Sequence, residues 1–460
     1  MSAHTNTSAP VPSDLILWDV VSEHYDEAMF HFELWERSLF SPELVLDQVR
    51  GGFEARLEQH IAGFLTAGEP GAERLLHPEL EEMTSPSQTT LATLLMLRLS
   101  QRTVHYELLD YLFSSHDSAQ RRAIVRGAGL YDDPRFEVVL REAFARARSP
   151  KEKAMLLEVF AALHLDPGEM LDDCFDTGFA ALDLAAVKTI GRCCRLDLAS
   201  KAFGFLDTDD QELRRVAIEA GLFLGSKAAW SGICELAASK DALAPWAMCI
   251  VAMLGGVGDH ERVLHARLDD ESMRQAALWA MGLTGRVQSA ELCLRYLEDD
   301  DERTAKLAAE AFGEITGLSR LTLKFFTAES SNAGSIDVET DDAPVPLEDD
   351  DLDANLVPDG TDELLLLDPF RVAAWYEKNR HRFTTKKRYL AGKERDPDAI
   401  IEALITFPMR RRHEVAFELA LRTGAQRWVT TDAFTPRQVR ELRGLADLEE
   451  SDLSNRFDSE

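Results

Sequence analysis

The chain has 460 residues, 45% of them hydrophobic and 28% charged, with 50 Lys+Arg against 81 Asp+Glu for a formal net charge of −31. That length exceeds what one compact core usually serves, so two or three domains or a repeat array are expected, and the apolar share is that of a folded chain. The charge excludes general attraction of the surface to nucleic acid or an anionic membrane and leaves room only for a local basic patch.

Residues 1–13 have neither the basic start nor the apolar stretch of a signal peptide and are expected to be disordered. No run approaches the ~18 apolar residues of a membrane span. The longest leucine run, Leu364 to Leu367, is flanked by acids. From Leu15 to Phe40 the pattern predicts a long amphipathic helix. Trp18, Val21, Tyr25, Ala28, Met29, Phe32, Trp35 and Leu39 fall on one face, with Asp14 as N-cap and Pro42 just past the end. A second helix from Leu44 to Leu65 completes an N-terminal helical cap over 14–84. His24, Glu27 and His31 share a face at steps of three and four, a spacing that can hold a metal. No second helix with a matching set appears in the sequence, so a surface strip with a Glu27–His31 contact is expected and no metal site is assigned.

Residues 85–325 carry the most informative pattern. Helices at Arg215–Gly225, Pro245–Gly255, Arg274–Gly285 and Ala305–Gly317 are rich in Ala and Leu. Their closing glycines fall at 225, 255, 285 and 317, at spacings of 30, 30 and 32. Ala217, Ala247, Ala277 and Ala309 repeat in step, where a small residue lets a neighbouring helix approach, and each glycine predicts a left-handed C-cap. Shorter apolar helices lie between them, at Trp230–Leu236, Arg262–Leu268 and Ala290–Leu297. Acidic or polar turns at Asp209-Asp210, Lys240-Asp241, Asp269-Asp270 and Asp299–Asp301 supply N-caps. Weaker units extend upstream over 87–113, 119–147, 151–175 and 178–206. Period-two alternation never persists, so no strand is expected. The fold class is all-α, an α-solenoid of HEAT-like helix pairs with N- and C-terminal helical caps.

Residues 326–365 read as an acidic flexible linker: 327–363 hold 13 acids and no Lys or Arg. Asp349, Asp351 and Asp353 occupy the first ligand positions of a calcium loop, but Ala354 and Gly360 stand where that loop needs Gly and Glu, so a solvated charge run is expected. The sign then reverses. Residues 369–444 contain 17 Lys+Arg against 9 Asp+Glu, inside an expected basic helical C-terminal domain over 366–460 with helices at 371–380, 397–404, 410–421 and 436–446. Here Lys378, Arg380, Arg382, Lys386, Lys387, Arg388, Lys393 and Arg395 interleave with Trp375, Tyr376, Phe383 and Tyr389, and Arg410, Arg411 and Arg412 follow. The binding residues assigned from this cluster are Trp375, Arg380, Arg382, Lys386, Lys387, Arg388, Arg410, Arg411 and Arg412. Three readings compete: a structural basic face, docking of the chain's own acidic linker or an acidic protein partner, and nucleic acid. The opposite signs of linker and cluster suggest that the linker regulates access to the basic domain.

The six cysteines (Cys174, Cys193, Cys194, Cys234, Cys249, Cys293) include no C-x-x-C pair and sit in helical stretches, as buried free thiols of a reducing, cytoplasmic protein would. His260 and His265 are five apart and share no face. Gly255-Gly256-Val257-Gly258 follows a helix and reads as a cap and turn. No nucleophile elbow, Walker loop, G-x-G-x-x-G or H-E-x-x-H occurs. No catalytic residue and no cofactor are assigned.

Three blocks together resemble a bacterial family of HEAT-repeat proteins of uncharacterised function, often encoded near type VI secretion genes. They are Ile16–Ala28 with Trp35-Glu36-Arg37; Glu348–Pro358; and Trp375, Asn379–Phe383, Arg388–Gly392 and Arg410–His413 ahead of Leu419–Arg422. The resemblance implies an adaptor or chaperone that loads a secreted protein, with a secretion effector or spike component as partner. The helix pairs and Asp-turns also resemble the short HEAT-like repeats of phycobiliprotein lyases, which implies an enzyme or cofactor handler as the alternative. The expectation is a non-enzymatic, cytoplasmic protein-binding scaffold without membrane contact. Nucleic-acid binding through the basic cluster is a second alternative, disfavoured by the net charge.

Overall fold

The computed structural model describes residues 15–82, 85–99, 102–115, 117–175, 177–318, 360–454 and 457. The N-terminal stretch 1–13, the Asp14 cap, the Asp349–Asp353 run and most of the acidic segment lie outside the described residues. The fold is all-α. α1 is Trp18–Ser38, and a lead-in at Leu46–Val49 and Arg50–Glu54 runs into α2, Ala55–Leu65. Then come α3 (Pro86–Arg98), α4 (Arg102–Ser114), α5 (Ser118–Leu130), α6 (Pro134–Arg146), α7 (Pro150–Leu163), α8 (Ala180–Arg192) and α9 (Gln211–Phe223). The series continues with α10 (Lys227–Ala237), α11 (Ala244–Leu254), α12 (Glu271–Thr284), α13 (Val287–Cys293) and α14 (Glu302–Thr316). The last four are α15 (Pro369–Asn379), α16 (Pro397–Thr406), α17 (Met409–Thr423) and α18 (Thr435–Arg443). Neighbouring helices pack in pairs, as an α-solenoid requires. No helix among the described residues is long and apolar enough to cross a membrane.

Much of the acidity is capping. Asp117, Asp133, Asp210, Asp270, Asp301, Asp368 and Asp396 each accept a backbone N–H in the first turn of the helix that follows. A cap of this kind is worth about 1 kcal/mol. The repeating alanines 217, 247, 277 and 309 are buried. Of the closing glycines, Gly225, Gly285 and Gly317 are left-handed, at φ 76°, 63° and 76°. Gly255 is extended instead, at φ −75° and ψ 156°. The strand-free expectation is corrected at one place: β1 (Tyr389–Leu390) pairs antiparallel with β2 (Lys393–Glu394). Two residues per strand are too few to leave a period-two pattern in the sequence.

The chain divides into two compact units. The first comprises Met1–Phe40, Leu44–Gly232 and Leu419–Asp447. In it α1 packs on α2, α3 on α5, α7 on α8 and α8 on α9. The basic C-terminal domain expected over 366–460 is therefore drawn differently: its 419–447 segment belongs with the N-terminal half. The reason is aromatic burial. Trp35 stacks on Phe434 with ring centroids 4.5 Å apart. Its indole N–H donates to Glu54 Oε2 (3.3 Å), which also accepts from the backbone N–H (2.9 Å) and hydroxyl (2.8 Å) of Thr435. Burial raises the Glu54 pKa, and these donors oppose the rise.

The second unit comprises Ser41–Glu43, Ile233–Glu418 and Leu448–Glu460. Here α11 packs on α12, α12 on α14 and α13 on α14. The β1–β2 hairpin lies against the ends of α12 and α14. Tyr389 N–H donates to Gly285 O (2.7 Å), Ala391 N–H to Glu314 O (2.6 Å) and Gly392 N–H to Ile315 O (3.0 Å). Residues 360–365, expected to close the flexible linker, are packed at least in part. Thr361 is buried, and Lys306 Nζ donates to Asp362 O at 2.9 Å.

Candidate functional site

A groove of about 600 Å³ runs along the first unit. α5, α7 and α8 lie side by side, so residues at three- and four-residue steps on each helix share its floor. α5 gives Ser118, Arg121, Arg122, Val125, Arg126 and Gly129; α7 gives Lys151, Ala154, Met155, Glu158, Ala161 and Ala162; α8 gives Ala181, Leu184, Lys188 and Arg192. Trp428, Thr430 and Asp432 of the returning segment form one wall. Six cations (Arg121, Arg122, Arg126, Lys151, Lys188, Arg192) thus face three carboxylates (Glu158, Glu212, Asp432).

Several of these cations are partly engaged. Arg126 bridges Glu36 (3.3 Å) and Asp432 (3.0 Å), Lys188 meets Glu158 (2.6 Å) and Arg192 meets Glu219 (3.0 Å). Among the described residues Lys151 Nζ reaches only the Phe113 carbonyl, at 3.5 Å. Arg122 is exposed and has no ion pair among the described residues. Trp428 organises the wall, with the Arg192 guanidinium 4.4 Å from its ring centroid, the His164 ring centroid also at 4.4 Å, and Phe223 edge-on at 5.7 Å. His164 ends α7 in a left-handed conformation at φ 56°. Burial, then Arg192 and Arg437, push its pKa down to about 3, so the imidazole in the wall is neutral. Such a groove suits an anionic, partly apolar chain: charges along the floor and a flat aromatic surface beside them.

The sequence did not single out this groove, because its cations are spread over more than seventy residues. The signal was there in phase, as Arg122/Arg126, Lys151/Met155/Glu158 and Leu184/Lys188/Arg192 recur on equivalent faces of successive units.

The basic cluster assigned from the sequence is split by the structure. Trp375, Arg380, Arg382, Lys386 and Lys387 remain at or near the surface of the second unit; Trp375 is half-buried edge-on to Phe312, and the four cations are exposed. Lys387 pairs with Glu394 and Arg380 with Glu377. Arg388, Arg410, Arg411 and Arg412 are not surface residues available to a partner. Arg388 donates to the carbonyls of Met253 (2.8 Å), Leu283 (2.8 Å) and Thr284 (2.7 Å) and to Glu418 (2.9 Å). Those carbonyls are the orphan acceptors at the ends of α11 and α12, so a guanidinium there serves as a C-cap. Arg411, 1% exposed, donates to Glu310 (2.9 Å) and Trp279 O (3.2 Å), contacts Glu314 and lies over the Trp279 ring. Burial raises the Glu314 carboxyl pKa and the neighbouring Arg411 guanidinium opposes the rise, while Glu310 also pairs with that arginine. Arg410 lies over the same indole, and buried Arg412 donates to Leu404 O at 2.5 Å.

His31 departs from the surface strip expected of it: it is 8% exposed, turned toward α2 and beside His60. Glu27 Oε2 does lie 3.8 Å from its Nε2. All six cysteines are free thiols. Burial pushes the Cys249 and Cys293 thiols up to about 12, which disfavours the nucleophilic thiolate.

No protein-family model matches the chain, and no curated protein matches it. Among solved structures the chain is similar to an engineered protein at 14% identity, covering 63% of this chain and 93% of the other, with a TM-score of 0.31.

Proposed function

We propose that this protein is a non-enzymatic scaffold whose first-unit groove holds an acidic segment of a protein partner. The observation that carries the reading is the groove lining: six cations against three carboxylates, beside Trp428, in a chain of net charge −31. A local positive groove on an acidic molecule selects extended acidic segments and repels like-charged surfaces that do not reach it. An aromatic wall adds apolar contact, so a leucine or aromatic residue among the acids is favoured. The resemblance of three sequence blocks to proteins encoded near type VI secretion genes makes a secretion effector or spike component the partner class, in an adaptor or chaperone role. A cytoplasmic location goes with this reading, because free thiols, buried at Cys174, Cys234 and Cys293 and half-buried at Cys193, Cys194 and Cys249, suit a reducing compartment.

The test is fluorescence anisotropy with a labelled Asp/Glu-rich peptide carrying one leucine, titrated with full-length protein at two salt concentrations. Binding that weakens with salt and falls roughly tenfold in Arg122→Glu and again in Lys151→Glu supports the groove. Binding indifferent to both changes removes the groove from the reading. Tighter binding of a single-stranded DNA probe than of the peptide would replace protein by nucleic acid as the partner class.

A further inference from the structure

The cores of α1 and α2 bring three imidazoles and a carboxylate together away from the groove. The helical repeat places His24, Glu27 and His31 on one face of α1, and α2 packs along that face. His60 of α2 meets them: one potential ligand atom from each of Glu27, His31 and His60 lies within 4.8 Å of the other two. His24 Nδ1 stands 3.3 Å from His60 Nδ1. The His31 and His60 ring centroids are 5.4 Å apart.

This is a poor arrangement for the residues by themselves. His31 is 8% exposed, and its Nδ1 is buried with no hydrogen-bond partner. Leaving a buried polar atom unsatisfied is costly. Backbone geometry makes room for the cluster: a Cβ on Gly63 would fall 2.6 Å from the His24 ring.

We propose that Glu27, His31 and His60 form a binding site for a divalent transition metal of the zinc class, with His24 as a positioning residue. Two imidazoles and one carboxylate are a zinc donor set that leaves one coordination position open. Ligand atoms on a tetrahedral zinc stand about 3.3 Å apart, given Zn–N distances of about 2.0–2.1 Å. Exposed Glu27 and half-buried His60 have the freedom to close to that separation around an ion. His24, hydrogen-bonded through Nδ1, fixes the orientation of the His60 ring and leaves its other nitrogen for the metal. The site is independent of the groove and of any partner.

The test uses the full chain, stripped with a chelator and titrated with zinc chloride against a chromophoric competitor, with cobalt(II) as a spectroscopic substitute. One equivalent bound at micromolar affinity or tighter, with visible absorption from bound cobalt, is expected. His31→Ala and His60→Ala should each lose at least 100-fold in affinity, and the exposed Glu27→Gln, which leaves the core untouched, at least tenfold. His24→Phe should lose about tenfold while keeping one equivalent, as removal of an outer-shell partner does. The distant control His381→Ala should bind as the parent does. No stoichiometric zinc, or equal binding in parent, His60→Ala and Glu27→Gln, would overturn the site and assign any bound zinc to other surface histidines.

Discussion

Single side chains in this protein take their meaning from what faces them. Arg410, Arg411 and Arg412 are three cations in a row, a pattern that reads as a solvated face. The structure instead sets Arg411 between Trp279 and Glu310 and turns Arg412 to the Leu404 carbonyl. Nothing local announces this, because their partners lie about a hundred residues earlier or on the preceding helix. His164 supports a prediction at this scale. Its pKa is about 3 in the fold and 6.5 in the unfolded chain. Its contribution is therefore complete above about pH 6.5 and is lost as the pH falls, because the unfolded state takes up the proton first. Between pH 7 and pH 5 urea unfolding should show the first unit losing roughly 1–2 kcal/mol more in the parent than in His164→Asn, which tolerates the left-handed backbone. Parallel pH profiles would refute the neutral, buried imidazole.

At the scale of elements the sequence was most legible. Asp caps, the stepped alanines and the glycine stops placed the array because each is a local requirement of helix termini and close packing. Gly255 was misread for a local reason: the chain turns after α11 through an extended residue, with Asp259 at the third position of the next turn accepting the Gly256 N–H. The hairpin was invisible for the opposite reason, since its hydrogen bonds run to other elements. Gly285 and Gly317 therefore do two jobs. Each ends a helix, and each lets hairpin backbone approach: a Cβ at 285 would fall 2.6 Å from Tyr389 O, and one at 317 would overlap Ala391 O. Gly317→Ala should cost about 2–3 kcal/mol, combining left-handed strain with loss of the hairpin contact. Gly232 has ordinary helical backbone and nothing within 4 Å of an added Cβ. Gly232→Ala should stabilise by about 0.5–1 kcal/mol. Thermal unfolding of the two variants decides both; similar melting temperatures would mean that the glycine stops carry no special load.

For the whole molecule, sequence order misleads about what folds with what. The acidic-to-basic switch suggested a self-contained C-terminal domain, yet Trp428, Phe434 and Thr435 complete the core of the N-terminal half. Hydrophobic content alone could not assign them, because Trp35 and Phe434 are separated by almost the full chain. Phe434→Ala should cost the first unit about 3 kcal/mol. Hydrogen exchange should report it as lost protection in α1 and α2, with protection around the β1–β2 hairpin unchanged. Loss confined to residues 419–447 would mean that this segment is only an appendage.

Repeat arrays ordinarily tolerate the gain or loss of a unit, because each repeat knows only its neighbours. The hairpin removes that freedom in the second unit. Gly285 and Gly317 are 32 residues apart, yet Tyr389 and Ala391, two residues apart, bond to Gly285 and Glu314 at the ends of their helices. The hairpin works as a gauge laid across consecutive repeats. It fixes how many residues fit between those two stops, so duplication or deletion there would leave the gauge with nothing to span.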